Sequence, residues 1–248
     1  MWVTAPTNLT LAPNDVHVWL ASLETSRDST TRFAAGLAAD ERERAARFHF
    51  DPGRDSYIAA RGILRELLGR YLDCPPGKVR LTYTSHGKPI LDAAHASDLQ
   101  FNLAHSGGLV LYAFARTARI GVDIERRRPD FDGQRIADRF FTEAESSSLR
   151  AVREADRVRA FTQQWTRKES FIKAHGEGLS YPLNAFSIEE DDNGRLRVRV
   201  NTKPGETEAW SVSDLEVGDS YAAAITVELA APEITTFEWI PDGPRDVT

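Results

Sequence analysis

The stretch GVDIE at residues 121–125, together with WTRKESFIK at residues 165–173, decides the interpretation of this 248-residue chain. The first stretch alternates in the manner of a strand, and the second continues a longer helical pattern. Asp123 and Glu125 are two residues apart, so both side chains leave the same face of the strand while the apolar residues take the other face. Two carboxylates on one face repel each other unless they share a proton or a cation.

The helical stretch supplies a third carboxylate. Glu169 lies on the stripe that apolar spacing predicts to be buried, and Lys173 follows it four residues later on nearly the same line. An ordinary helical ion pair, worth a few tenths of a kcal/mol, would explain that spacing. A solvated strand end would similarly explain the carboxylates of the strand. Neither alternative explains why charged residues interrupt an apolar face, which here consists of Val158, Phe161, Trp165 and Ile172.

The three carboxylates predict a metal site, because a buried anionic cluster is costly unless a cation lies within it. Neither stretch contains His or Cys, and the single cysteine, Cys74, belongs to a turn that ends a helix. A ligand set made only of oxygens suits Mg²⁺ better than zinc. Because Mg²⁺ usually keeps coordination positions for phosphate oxygens and water, the site predicts a phosphate-bearing substrate.

Composition excludes several classes of protein. The net charge is -6, with 41% hydrophobic and 27% charged residues, which is ordinary for a soluble globular protein. Basic residues outnumber acidic ones by 2 in residues 1–119 and are outnumbered by 8 in residues 120–248. That balance disfavours a nucleic-acid partner. The chain has no apolar run of membrane-spanning length, and a lone cysteine allows no intrachain disulfide, so we expect a cytoplasmic protein without a membrane partner.

The order of predicted elements indicates two related halves, residues 1–119 and 120–248, because in each half helices are followed by a hairpin. The similarity lies in element order and hardly at all in residue identity. Predicted helices cover residues 39–49, 54–72, 133–140, 142–152 and 156–175. Predicted strands cover residues 16–20, 79–83, 100–105, 109–115, 120–125, 186–188, 196–200, 209–212 and 221–229.

Four motifs in order resemble those of a known family. GVDIE at 121–125 and WxxKESxxK at 165–173 resemble the two signatures of the 4′-phosphopantetheinyl transferases. GKP at 87–89 and FNLAHS at 101–106 resemble the additional motifs of the larger, Sfp-type (surfactin-synthetase-activating) branch. The resemblance covers roughly residues 40–229. Many members have Ser where this chain has Ala104, so a hydroxyl contact to coenzyme A is in doubt there.

The resemblance implies an α+β fold, a pseudo-dimer of two similar α/β halves with coenzyme A in the cleft between them. It implies that Asp123, Glu125 and Glu169 hold Mg²⁺ against the pyrophosphate of coenzyme A. Lys173 would reach the same phosphates and steady the leaving group. Binding of the nucleotide end would fall to Arg44, Arg61, Lys88 and His105.

Simpler explanations remain for some of these residues. Arg61 could be a solvated helix arginine, and His105 a hydrogen-bonded histidine at a strand end. Glu145 aligns with a further acidic residue of the family, although a negative charge at a helix start is the simpler explanation. The run Arg126 to Arg128 is commonly a solvated turn, but it is also a candidate docking patch for acidic carrier proteins.

The resemblance implies transfer of the 4′-phosphopantetheine arm of coenzyme A to a serine of an apo acyl or peptidyl carrier protein, which releases adenosine 3′,5′-bisphosphate. Glu169 is the candidate base, and the chain is expected to act as a monomer because it contains both halves of the site. A Mg²⁺-dependent nucleotide pyrophosphohydrolase is the alternative enzyme; it would accept dephospho-coenzyme A equally well. A carrier-binding scaffold with a relict site is the non-enzymatic alternative, and Mg²⁺ should not bind it.

Overall fold

The computed structural model describes residues 1–200 and 210–241, and within these ranges it is an α+β protein. Its helices are α1 Arg27–Gly36, α2 Ala39–Ala46, α3 Asp51–Leu72, α4 Gly133–Phe140, α5 Glu143–Ala151 and α6 Arg157–His175. Its strands are β1 Val3–Thr4, β2 Asp15–Ser22, β3 Leu81–Tyr83, β4 Pro89–Leu91, β5 Leu99–Ser106, β6 Leu109–Arg116, β7 Ile120–Arg126, β8 Phe186–Glu190, β9 Leu196–Val200, β10 Ser211–Asp214, β11 Tyr221–Val227 and β12 Glu233–Glu238.

The predicted helices are all confirmed, with ends shifted by no more than three residues. The predicted strand at 209–212 begins at a residue outside the described ranges, and its later part belongs to β10. The sequence pattern did not predict α1, β1, β4 or β12. None of the helices in the described part of the chain has the length and apolar character needed to traverse a bilayer.

Two five-stranded sheets form the centres of the two halves. The first has the order β1-β12-β2-β6-β5, and the second has the order β7-β11-β10-β9-β8. β3 and β4 form a separate antiparallel hairpin. The passage between the sheets, at residues 117–119, lies at the predicted boundary of the halves. However, β12 returns to the first sheet and pairs in parallel with both β1 and β2.

The central strands of the first sheet, β2 and β6, have two buried faces. On β6, Tyr112 and Phe114 join a cluster with the apolar face of α3, whereas Leu111 and Ala113 join a cluster with the second sheet. This alternation follows from the two-residue period of a strand. Residues of both sheets therefore meet in a central apolar core, and the long helix of each half packs on another face of its sheet.

In the second half, α6 lies on β7 at very short range. A Cβ atom built on Gly121 would stand 2.1 Å from the carbonyl oxygen of Ser170 and 2.3 Å from the backbone nitrogen of Ala174. The hydroxyls of Ser170 and Thr226, on β11, are also only 2.7 Å apart. Glycine is therefore required at position 121, and the close crossing brings α6 over the strand face that carries Asp123 and Glu125.

We expect Gly121→Ala to destabilise the fold by about 2 kcal/mol or more, because the methyl group would meet backbone atoms that cannot move without shifting α6. Chemical denaturation of the purified variants measures this effect. Gly77→Ala is the matched control, since a Cβ there meets nothing within 4 Å. Equal stability losses for the two variants would show that the crossing tolerates a side chain.

Candidate functional site

The structure brings the three predicted carboxylates to one place, where α6 crosses β7. Asp123 is 4% exposed, and its Oδ1 accepts a hydrogen bond from Lys173 Nζ at 2.6 Å. The other oxygen, Asp123 Oδ2, is buried and has no hydrogen-bond partner among the described residues. Glu169 Oε1 is likewise buried and has no hydrogen-bond partner among these residues. Buried carboxylate oxygens without a partner are rare in folded proteins and call for an explanation.

Burial and mutual repulsion raise the pKa values of these acids. The pKa of Glu169 rises to about 6, chiefly because of burial and then because of the negative charge of Asp123. Burial also raises the pKa of Asp123, against the opposing effect of the Lys173 ammonium. The pKa of Glu125 is raised by burial and by Asp123. The three carboxylates therefore respond to each other's charge, and a cation among them would relieve the repulsion.

Lys173 already supplies one positive charge to the cluster, through its contact with Asp123. Among the residues that the structure describes, no group of three or more His, Cys, Asp or Glu side chains is close enough to hold a metal ion as it stands. The geometry thus shows a convergent acidic face with one bound ammonium. The assignment of Asp123, Glu125 and Glu169 as metal ligands remains a prediction.

The motif at residues 101–106 joins the two halves. Asn102 Oδ1 accepts a hydrogen bond from the backbone N–H of Val122 at 2.9 Å. Ser106 Oγ donates to Glu125 Oε2 at 2.9 Å and accepts from the backbone N–H of Arg126 at 3.1 Å. The family resemblance implied a contact of this motif with coenzyme A alone. The structure shows in addition that Asn102 and Ser106 hold β7. The polar residues within an otherwise apolar strand were the available signal.

Lys88 and His105, two of the predicted nucleotide-binding residues, lie around Lys173. Lys88 Nζ donates to the carbonyl oxygens of Lys173 at 2.6 Å and of Ile120 at 3.2 Å, so it links the β3–β4 hairpin to the second half. Burial, followed by the charges of Lys173 and Arg119, lowers the pKa of Lys88 to about 8. Partial burial and the Lys173 ammonium lower the pKa of His105.

Arg61, in the middle of α3, and Arg44, on α2, lie in a separate group. Arg61 is only 6% exposed, so it is not a solvated helix arginine. Its Nε donates to Glu41 Oε1 at 2.8 Å and its Nη2 to the Tyr83 hydroxyl at 2.7 Å. Arg44 is exposed, with its guanidinium 5.6 Å from the centre of the Tyr57 ring.

Glu41 is a buried residue to which the sequence pattern gave no role. Besides Arg61 it accepts a hydrogen bond from Arg65 Nε at 2.6 Å, so one carboxylate compensates two buried guanidinium groups. The spacing of Arg61 and Arg65 by four residues, on a helix face that is otherwise apolar, was the available signal. Tyr83 belongs to the same hairpin as Lys88, which connects this group with the residues around Lys173.

Lys168 and Glu145 form a buried ion pair behind the acidic face. Lys168 is 0% exposed, and its Nζ lies 2.7 Å and 2.8 Å from the two carboxylate oxygens of Glu145 and 2.8 Å from the Phe186 carbonyl oxygen. Glu145 also completes a capping box with Thr142 at the start of α5. The helix-start explanation for Glu145 is therefore correct but incomplete. The pair fixes α6 against α5 and β8, and with them the side of α6 that presents Glu169.

We expect Lys168→Met to lower the free energy of unfolding by about 3 kcal/mol, because it leaves the Glu145 carboxylate without its main counter-charge. Urea denaturation of the variant measures the loss. The double variant Lys168→Met, Glu145→Gln should recover part of it, since no charge is then left uncompensated. Lys78→Met, at an exposed lysine, is the control; an equal loss there would contradict the interpretation.

Comparison with known proteins finds similar chains of one family. The holo-(acyl-carrier-protein) synthase of Bacillus anthracis, solved in complex with CoA (3′,5′-ADP), is similar with a TM-score of 0.37 at 21% identity, over 44% of this chain and 92% of that chain. The 4′-phosphopantetheinyl transferase HetI of Nostoc sp. is 39% identical over 227 residues, which are 91% of this chain and 93% of the relative. The 4′-phosphopantetheinyl transferase Sfp of Bacillus subtilis is 29% identical over 90% of this chain and 91% of its own length.

Both halves also match descriptions of one family. Residues 22–117 match the N-terminal region of 4′-phosphopantetheinyl transferase, and residues 119–226 match the 4′-phosphopantetheinyl transferase superfamily. The two matched segments meet where the chain passes from the first sheet to the second. The chain therefore belongs to the 4′-phosphopantetheinyl transferases, the family that its motifs resemble.

Proposed function

We propose that this protein transfers the 4′-phosphopantetheine arm of coenzyme A to a serine hydroxyl of an apo acyl or peptidyl carrier protein, and that it acts as a cytoplasmic monomer. The observation that carries the proposal is the acidic face of Asp123, Glu125 and Glu169 beside Lys173, in a chain of this family. In the reaction a bond forms between the serine oxygen and the phosphorus atom of the arm. The bond from that phosphorus to adenosine 3′,5′-bisphosphate breaks.

The residues present fit a bound Mg²⁺ ion. Asp123 Oδ2 and Glu169 Oε1 are buried oxygens without partners among the described residues, and carboxylate oxygens are the ligands that Mg²⁺ prefers. Asp123, Glu125 and Glu169 would hold the ion. When bound, it would offset the negative charge of the pyrophosphate and the charge that develops on the departing phosphate.

Glu169 is suited to accept the proton of the attacking serine. A hydroxyl is a weak nucleophile until a base removes its proton, and an effective base has a pKa near the working pH. Because burial raises the pKa of Glu169 to about 6, the carboxylate is ionised at neutral pH and is more basic than an exposed glutamate. When Glu169 accepts the serine proton, the loss of its negative charge balances the negative charge that leaves with adenosine 3′,5′-bisphosphate.

Lys173 would hold the leaving group. Its ammonium lies 2.6 Å from Asp123 Oδ1, so it stands at the acidic face where the phosphates would bind. An approaching phosphate can share this ammonium, which would stabilise the charge that develops on the departing oxygen. Lys88 and His105 surround Lys173 and would bind the nucleotide end together with Arg44 and Arg61.

Arg61 is connected to the other proposed nucleotide-binding residues through the β3–β4 hairpin. Its contact with the Tyr83 hydroxyl connects it to the strand that leads to Lys88, so the two cations are carried by connected elements. Arg44 is the exposed member of the pair and would contact the nucleotide first. This division leaves binding of the nucleotide to the first half and the chemistry to the second.

We expect Glu169→Gln to fold normally and to reduce arm transfer by about a hundredfold or more, because it removes the proposed base and one charge of the metal site. Intact-mass measurement of an apo carrier incubated with coenzyme A and Mg²⁺ reads the transfer, and thermal unfolding checks the fold. Glu177→Gln, at an exposed glutamate just beyond α6, is the control and should keep full activity. Near wild-type transfer by Glu169→Gln would rule out the assignment.

We expect the affinity for Mg²⁺ to fall by roughly tenfold per pH unit below about pH 6, since a protonated Glu169 cannot act as a ligand. Above about pH 7 the carboxylate is ionised and the affinity should level off. Isothermal titration of the protein with MgCl₂ across this range measures the dependence. Glu169→Gln should weaken both the affinity and its change with pH. Absence of Mg²⁺ binding at every pH would contradict the metal assignment.

A further inference from the structure

Glu125 differs from the other two acids of the acidic face in how it is held. Asp123 is buried and bonded to Lys173, and Glu169 is carried by a turn of α6. Glu125 is the last residue but one of β7 and is half-buried. A glutamate near a strand end can adopt several rotamers, and fixing one of them for a metal ion costs conformational entropy. A neighbour that held the side chain beforehand would reduce this cost.

Ser106, at the end of β5 in the first half, is such a neighbour. Its Oγ donates a hydrogen bond to Glu125 Oε2 at 2.9 Å. In the described part of the chain this is the only hydrogen bond to the Glu125 carboxylate, so the second oxygen, Oε1, has no protein donor there. One oxygen is therefore held by the first half, and the other is left for a cation at the acidic face.

A second hydrogen bond determines how the Ser106 hydroxyl is used. Ser106 Oγ accepts from the backbone N–H of Arg126 at 3.1 Å. A serine hydroxyl has a single hydrogen to donate and two lone pairs that accept. Because the Arg126 N–H occupies a lone pair, the hydrogen remains available for the Glu125 carboxylate. The hydroxyl is thus bonded both to the backbone of β7 and to the side chain that it restrains.

The turn that follows Ser106 is itself fixed to the second half. Ser106 ends β5 at a two-residue turn, in which Gly107 and Gly108 have φ angles of 56° and 87°. Positive φ values at both positions are typical of a tight hairpin turn. Tyr221 of β11 donates a hydrogen bond to the Gly107 carbonyl oxygen, and a Cβ on Gly107 would stand 2.9 Å from the same hydroxyl. The backbone that carries Ser106 is therefore held close to β7.

We propose that Ser106 is a positioning residue, which holds Glu125 in the orientation of a metal ligand, so that the first half of the chain completes the Mg²⁺ site of the second. This inference rests on the proposed function, in which Glu125 binds the ion. Groups that hydrogen-bond to a metal-binding carboxylate orient it, and their removal weakens metal binding by roughly 10- to 100-fold. Ser106 acts through Glu125 and touches neither the ion nor the substrates.

The first test removes the hydroxyl. We expect Ser106→Ala to lower the affinity for Mg²⁺ by about tenfold, measured by isothermal titration with MgCl₂ alone, without coenzyme A or a carrier. Ser106→Thr retains the hydroxyl and should keep most of the affinity. Ser187→Ala is the matched control, because it removes another hydrogen bond from a serine to a glutamate, Glu189 on β8, and should leave the affinity unchanged. Thermal unfolding in EDTA checks that each variant is folded.

A double-mutant cycle tests whether Ser106 acts through Glu125. Glu125→Ala removes one of three carboxylates and should by itself weaken Mg²⁺ binding, so the titration is extended to higher MgCl₂ concentrations. In that background we expect Ser106→Ala to cause less than a further twofold loss, because the hydroxyl no longer has a carboxylate to orient. An equal tenfold loss in both backgrounds would overturn the inference, since Ser106 would then support the site without Glu125.

The remaining outcomes separate this inference from the proposed function. If the wild-type protein binds Mg²⁺ and Ser106→Ala binds it equally well, the inference is wrong and the metal assignment stands. An affinity of Ser106→Thr as low as that of Ser106→Ala would also overturn the inference, because the hydroxyl would then not be the group that matters. If the wild-type protein binds no Mg²⁺, the metal assignment itself fails, and the inference fails with it.

Discussion

The close crossing of α6 over β7 at Gly121 is the constraint on which the site depends. Backbone atoms of α6 occupy the volume that any larger side chain at position 121 would need. Because Asp123 follows two residues later on the same face of the strand, the crossing buries it against the helix turn that carries Glu169 and Lys173. One missing side chain thus determines the distance between the two acids of the strand and Glu169 on the helix. It also determines their burial, and burial is the main cause of the raised pKa values.

A helix held this close needs to be fixed in rotation as well as in distance, and the buried Lys168–Glu145 pair supplies that restraint. Lys168 and Glu169 are adjacent, so their side chains leave the helix about 100° apart. With the Lys168 ammonium bound to Glu145 and to the Phe186 carbonyl oxygen, α6 cannot turn without exposing a charge to an apolar interior. Asn102 and Ser106, from the first half, restrain β7 through hydrogen bonds to the backbone N–H of Val122 and to the Glu125 carboxylate. The acidic face is therefore held from both halves.

Sequence pattern predicted most of the helices and strands and the acidic face, and it failed where contacts depend on a third element. Glu169 could be placed because helical spacing fixes its phase relative to Phe161 and Ile172, both of which are buried. The buried position of Lys168 could not be predicted in this way, because periodicity does not reveal that β8 covers a second side of α6. Arg61 was expected near a phosphate, and only the fold shows that Glu41, twenty residues earlier, is its buried partner. β12 was missed because its exposed alternation carries little signal, although it completes the first sheet.

The contacts of two lysines connect the acidic face with the first half of the chain. The Lys173 ammonium compensates the charge of Asp123, and Lys88 ties the last turn of α6 to the first half. If Asp123, Glu125 and Glu169 hold a cation as we propose, the Asp123 carboxylate would depend less on the Lys173 ammonium, and Lys173 could then bind a phosphate. Binding of the metal would thus increase the affinity for phosphate, and binding of phosphate the affinity for the metal, because each compensates a charge that the other leaves unbalanced.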